Sequence, residues 1–236
     1  MQNQLIYSKI TSGTGYAVLK IDNLKYIEEL RDNLLNRLQT DKIIKNFNEL
    51  RLILGEMDNK NVNQLMVKLL GFNEASILML NACKDIVKNL CTDKIFLQRR
   101  ANIILNLPGE DQRHQWPHYE MMSGISPFTF VLWAPLHDID DESGLFYLDT
   151  EESLIYMKKE IENGLVNSPY IFEQLKNRKP VKVNYGEVIV FNPFILHGNV
   201  PFNGEMARIA CSIRVQSLEK PLMQRNTDFF KYYLIN

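Results

Sequence analysis

Cysteine is scarce: Cys83, Cys91 and Cys211 are the only three in 236 residues. Their number is odd and none stand in CxxC spacing, which argues against a disulfide framework and for reduced thiols in a cytoplasmic protein. Net charge is nearly absent as well, at −1 from 27 basic and 28 acidic residues, so no basic stripe is available for nucleic acid. No apolar run approaches the roughly 20 residues that span a bilayer. The N-terminal MQNQLIYSKI lacks a basic n-region followed by an apolar h-region, so no secretory signal and no membrane partner are expected. Repeats and low-complexity tracts are missing, and no heptad seam demands a partner chain, which leaves the oligomeric state open. What remains is 45% hydrophobic composition in a chain long enough for one sizeable core, and a single domain over 1–236 is expected.

The first hundred residues read as mainly helical. A short β-branched strand over 15–21 stops at Asp22-Asn23. Leu24, Ile27, Leu30, Leu34, Leu35 and Leu38 then recur at the spacing of an amphipathic helix. Further helical patterns lie over about 41–55, 60–71 and 75–91, punctuated by Gly55, Asn59 and Gly71. Their Met and Leu stripes are read as core, making about 20–95 a structural buttress.

Near Ile95 the pattern changes to strands, over 101–107, 128–134, 188–192 and 207–215, with turn signals such as Pro108-Gly109 and Phe202-Asn203-Gly204-Glu205 between them. Short strands of this kind indicate a sandwich or barrel, so the fold class is α+β, with helices packed outside a β-barrel-like core. Side-chain alternation in the last strand puts Arg208, Ala210, Ser212 and Arg214 on one face and Ile209, Cys211, Ile213 and Val215 on the other. On an open sheet the polar face would be solvated. Inside a barrel it becomes an anion site, because a guanidinium grips a carboxylate through two parallel hydrogen bonds. The turn between His197 and Arg208 is expected to lay their two strands side by side.

Only four histidines are present. His118 is followed two residues later by Glu120, and His197 lies at the end of a distant strand. Two imidazoles and one carboxylate are the set that holds Fe(II) on one face and leaves three positions open. Such an iron can take a 2-oxo acid as chelate together with O2, and the far carboxylate of that acid needs a cation, a need Arg208 meets. A carboxylate at Glu120 also argues against a halogenase, which keeps that position open for halide. His114 has Trp116 two residues on, which cannot bind metal, and His137 sits in an acidic turn with Asp138, Asp140, Asp141 and Glu142, expected to be solvated. His114, Trp116 and Arg214 are candidates to line a pocket for a polar or anionic substrate.

The segment from Trp133 to Gly144, together with Gly186 to Asn192 and Leu196-His197-Gly198-Asn199, resembles the phytanoyl-CoA dioxygenase family of Fe(II)/2-oxoglutarate oxygenases, and 15–19 resembles that family's opening strand. The resemblance runs from about 15 to 216 and is sharp from about 100. It implies a double-stranded β-helix (jelly-roll, cupin-like) core over about 96–216. It further implies iron at His118, Glu120 and His197, Arg208 salt-bridged to 2-oxoglutarate, and Trp133, Asn199, Tyr119 and Asn102 near the co-substrate. Two departures stand out. The family usually has aspartate where Glu120 stands, and beyond Gly144 it often continues into Pro-Gly-Ser-His, where this chain has Leu148-Asp149-Thr150-Glu151-Glu152-Ser153. The expected activity is hydroxylation of a small polar metabolite, such as a sugar, a sugar nucleotide or a natural-product intermediate, with release of succinate and CO2. The alternatives are a metal-dependent β-barrel enzyme that does without 2-oxoglutarate and a non-catalytic binding module of the same fold.

Overall fold

The 3.6-residue apolar period of the N-terminal segment becomes a series of short helices. The computed structural model describes residues 2–39, 44–69, 72–109, 117–139, 144–163, 169–175, 177–200, 202–223 and 230–235. Its first elements are α1 (Gln2–Ser12), β1 (Tyr16–Lys20), α2 (Lys25–Arg37), α3 (Phe47–Gly55), α4 (Asn59–Leu69), α5 (Glu74–Ala82) and α6 (Lys84–Cys91). Along α2 the buried residues are Ile27, Leu30 and Leu34, one stripe of an amphipathic helix. Asn46 caps α3 by accepting a hydrogen bond from the Glu49 amide.

The pattern over 75–91 predicts one helix, and the structure holds two. The Asp22 carboxylate accepts hydrogen bonds from the Asp85 and Ile86 amides, starting α6, while the Ala82 carbonyl receives the Asp22 and Asn23 amides and ends α5. A cap supplied from the β1–α2 turn, some sixty residues away in sequence, breaks the run.

The C-terminal part contributes β2 (Lys94–Gln98), β3 (Asn102–Asn106), a 3-10 turn (Glu120–Ser123), β4 (Phe130–Pro135), β5 (Leu145–Tyr147), α7 (Thr150–Glu162), α8 (Pro169–Leu175), β6 (Glu187–Phe191), β7 (His197–Asn199), β8 (Arg208–Ser217) and β9 (Phe230–Leu234). Seven strands form a large antiparallel sheet in the order β1-β6-β4-β8-β2-β9, with β3 also on β8. β1 and β9 therefore lie outside 96–216 and yet belong to the sheet. All ten residues of β8 are buried, because β4 runs along one edge and β3 and β2 share the other.

β5 and β7 form a separate pair, flanked by single bridges from His118 to His197 and from Leu145 to Val181. Leu145 and Tyr147 of that pair pack with Val131, Trp133, Ile189, Phe191 and Ala210 of the large sheet. The opposite face of the large sheet, with Leu132, Ala134, Val188, Val190, Ile209, Cys211, Ile213 and Val215, packs against the helices. Alternation thus divides each central strand between a helix-covered face and an inner face, as the sequence of β8 indicates.

One expectation is corrected. The strands of His197 and Arg208 do not lie side by side: β7 pairs with β5 and His118, while β8 pairs with β2, β3 and β4. With both edges of β8 taken, the two residues approach across the gap between the sheets instead. Among the described residues no single helix is long and apolar enough to cross a membrane.

Candidate metal centre

His118 and His197 meet as a directly opposed antiparallel pair. The His118 amide donates to the His197 carbonyl at 2.9 Å and the His197 amide to the His118 carbonyl at 3.2 Å. Opposed residues of such a pair put their side chains on the same face, and the two imidazole centroids lie 4.4 Å apart. Tyr119 is extended, at φ −107° and ψ 135°, so Glu120 returns to the side of His118 while Tyr119 turns away. Donor atoms of His118, Glu120 and His197 all come within 4.8 Å of one another, a group that could hold a metal ion. Gly198 makes the close approach possible: a Cβ there would lie 3.0 Å from the Phe146 ring and 3.2 Å from the Pro117 Cα.

The electrostatics prepare His197 and Glu120 as ligands. The His197 ring Nδ1 lies 3.0 Å from the Ile195 carbonyl, which makes it the donor and leaves Nε2 as a lone pair. That Nε2 is 3.7 Å from Glu120 Oε1. Burial pushes the His197 imidazole down to about 3, with His118 acting in the same direction, so it is neutral at ordinary pH. Burial alone would raise Glu120; the Arg214 guanidinium beside it outweighs that and holds the carboxyl at about 2. A neutral imidazole and an ionised carboxylate are the forms that bind metal.

Arg208, fully buried, donates from Nη1 to the Gly144 carbonyl at 2.8 Å and from Nη2 to Asn199 Oδ1. Its guanidinium carbon lies 5.9 Å from the centre of the Trp133 ring. Around it, three buried polar atoms have no hydrogen-bond partner among the described residues: Trp133 Nε1, Asn199 Nδ2 and Tyr147 Oη. Buried polar groups are nearly always paired, so orphaned ones that converge beside a guanidinium mark a place for a polar guest. Tyr147 stacks on His197 with ring centroids 5.5 Å apart and planes 8° apart, which ties this group to the histidine pair.

The remaining sequence-predicted residues are distributed as follows. Tyr119, expected near the co-substrate, packs with Phe146, Leu148, Ile171, Leu175 and Leu196, and its hydroxyl donates to the Ser153 carbonyl at 3.0 Å. Alternation after His118 dictates that outward turn. Asn102 is exposed and accepts from Gln98 Nε2 at 3.0 Å, opposite Ser212 in register. Arg214, expected at the substrate, is buried against Glu120, with Nη2 2.6 Å from both carboxylate oxygens. His114 and Trp116 lie outside the described residues.

His137 is not in a solvated turn. It is 5% exposed, with Nδ1 2.6 Å from the Asp138 carbonyl and Nε2 accepting from the Ile209 amide at 3.0 Å. The β4–β8 ladder ends at Pro135, and the imidazole takes over as partner for the next strand amide. Tyr147 was missed because the signal for β5 is only three residues long, although alternation from Leu145 puts it on the same face.

No family model matches the chain, and no curated protein sequence matches it. Solved structures do. The non-heme monooxygenase ThoJ in its apo form aligns over 95% of this chain and 85% of its own, at 10% identity and a TM-score of 0.57. The non-heme alpha-ketoglutarate-dependent epimerase SnoN from nogalamycin biosynthesis aligns over 97% and 88%, at 12% identity and a TM-score of 0.55. HygX from Streptomyces hygroscopicus, with nickel and 2-oxoglutarate bound, aligns over 97% and 93%, at 13% identity and a TM-score of 0.53. At such identities the likeness is one of fold, and the mixed helix and antiparallel-sheet fold of this chain is the one found in these non-heme enzymes.

Proposed function

We propose that the protein is an Fe(II)/2-oxoglutarate-dependent dioxygenase of the phytanoyl-CoA dioxygenase type, one domain over 1–236 with a double-stranded β-helix core buttressed by the helices of about 20–95. The observation that carries the reading is the convergence of two groups: the His118, Glu120 and His197 donors within 4.8 Å, and the unpartnered Trp133 Nε1, Asn199 Nδ2 and Tyr147 Oη beside Arg208. The first is the ligand set that suits Fe(II) with open positions. The second suits the polar end of a dicarboxylate.

In this reading His118, Glu120 and His197 hold the iron. Arg208 pairs with the distal carboxylate of 2-oxoglutarate, and Trp133, Asn199 and Tyr147 donate to it or to its neighbouring oxygens. Iron and 2-oxoglutarate, when bound, supply the oxidising power toward a C–H bond, consuming O2 and releasing succinate and CO2. The chain's own part is to orient and to exclude water: Phe191 and Tyr147 wall His197, with ring centroids 4.7 and 5.5 Å away. The Ile195 carbonyl fixes the tautomer that presents Nε2. The substrate is a small polar metabolite, and hydroxylation is the outcome. Neighbours carry small molecules, nogalamycin RO in SnoN and 5-hydroxyectoine in EctD from S. alaskensis, which supports a small-molecule substrate.

The test is aerobic incubation with Fe(II), 2-oxoglutarate and ascorbate. Succinate should appear above background in the wild type and vanish in His197→Ala. A metal-loaded wild type that never turns 2-oxoglutarate over, with or without added polar metabolites, would sink the assignment in favour of metal chemistry that does without it.

A further inference from the structure

The two oxygens of Glu120 are not equivalent. Oε1 faces His197 Nε2 at 3.7 Å and receives Arg214 Nη2 at 2.6 Å. Oε2 is held along an edge of the guanidinium, by Nη2 at 2.6 Å and Nε at 3.2 Å. Arg214 is itself fixed from the other side, where Nη1 donates to Gln98 Oε1 and Ser212 Oγ, each at 3.3 Å. Gln98 in turn donates from Nε2 to the Arg100 carbonyl at 2.6 Å and to Asn102 Oδ1 at 3.0 Å. Both partners are buried, their side chains 7% and 6% exposed. Nε and Nη2 of the guanidinium engage Glu120 and Nη1 engages Gln98 and Ser212, so all three nitrogens are committed within this buried network.

Resting on the dioxygenase reading above, we infer that Arg214 is a positioning residue that keeps Glu120 a one-oxygen ligand. Carboxylates bind cations through one oxygen or through both. Glutamate has one more methylene and one more rotatable bond than aspartate, so it swings more readily into the two-oxygen mode. Each additional oxygen would occupy a position that the three-ligand arrangement leaves open. With a 2-oxo acid taking two positions, a second oxygen from Glu120 would close the third, the one O2 needs. Oε2 accepts from both Nη2 and Nε and is withheld from the metal, whereas Oε1 accepts only from Nη2 and keeps a lone pair toward His197 Nε2, which makes a glutamate workable at this position.

The test uses the full-length protein with Fe(II) and 2-oxoglutarate under anaerobic conditions and nitric oxide as the probe for the third position, read by the electron paramagnetic resonance signal of the iron nitrosyl. Arg214→Met takes the counter-ion from Glu120 and should bind iron less tightly, so it is compared at saturating Fe(II) and 2-oxoglutarate, where it should lose nitric oxide affinity by roughly 10-fold or more, of the order of the activity lost when a partner of a metal ligand is removed. Adding Glu120→Asp to that variant should restore the signal, since the shorter acid does not swing across; a general loss of packing would not be rescued this way. Should Arg214→Met fail to fold, Arg214→Lys keeps the buried charge without the fork and should show a smaller loss with the same rescue. Unchanged nitric oxide affinity in these variants, or no rescue by Glu120→Asp, overturns the inference. A wild type that takes up iron but shows no 2-oxoglutarate complex overturns the dioxygenase reading instead.

Discussion

The strand that carries Arg208 should be sensitive to acid through His137. The imidazole is buried, and its Nε2 is the acceptor for the Ile209 amide, the residue next to Arg208. Burial pushes its pKa from 6.5 down to about 4, and the nearby Arg51, Arg208 and Arg31 act the same way against the opposing Asp138 carbonyl. Between those two values the unfolded chain binds a proton that the folded chain refuses. Stability is therefore complete above pH 6.5 and falls as the pH drops toward 4, where the ring charges in the folded state too and loses the Ile209 bond. A drop from 6.5 to about 4 corresponds to roughly 3 kcal/mol. For a domain of this size each kcal/mol is about 2–4 °C, so this one group should lower the melting temperature by about 6–12 °C between pH 7.5 and 4. His197 and Glu120 also weaken the fold in acid, so the measurement is a difference. Metal-free wild type and His137→Gln, whose amide oxygen still accepts from Ile209 and does not titrate, are melted side by side from pH 7.5 to 4. The wild type should lose more, with the gap opening below pH 6.5. Parallel profiles would refute the assigned role of the ring.

Two further outcomes follow from the geometry. Arg208→Met removes a buried, charge-assisted anchor, a loss of about 2–5 kcal/mol, so the dissociation constant for 2-oxoglutarate should rise roughly 30-fold or more while iron affinity stays as in the wild type; calorimetric titration of both ligands checks this, and unchanged 2-oxoglutarate affinity would move the anchor elsewhere. Gly198→Ala places a Cβ 3.0 Å from the Phe146 ring and 3.2 Å from the Pro117 Cα, so β7 must shift away from His118; a stability loss of about 1–3 kcal/mol and weaker metal binding are expected, and full metal affinity would show that the two histidines tolerate the shift.

Much of the candidate site's arrangement was legible in the sequence because it obeys local rules. Alternation along β8 predicts its polar inner face, and the two-residue step from His118 to Glu120 brings both to one side. What escaped was set by partners far along the chain. Arg214 looks like a substrate residue until Glu120, 94 residues earlier, is found in its fork. His137 looks solvated beside its acidic neighbours until the end of β4 at Pro135 leaves the Ile209 amide for it to receive. α5 and α6 read as one helix because the cap that parts them comes from Asp22. α7 had a local signal that went unread: Asp149 accepts the Glu152 amide at 2.8 Å, and an acidic residue three positions after a capping residue is a common helix start. β9 carries alternating bulky residues, yet its register depends on β2, some 135 residues earlier.

Whether the protein binds iron and 2-oxoglutarate together is measured by anaerobic titration of the apoprotein with Fe(II) and then 2-oxoglutarate, following the visible charge-transfer band of the chelate. The band should require both additions, disappear in Glu120→Ala and need far more 2-oxoglutarate in Arg208→Met. Tight iron binding with no band on adding 2-oxoglutarate would contradict the account and favour a metal enzyme of another kind, and failure to bind iron would favour a binding module.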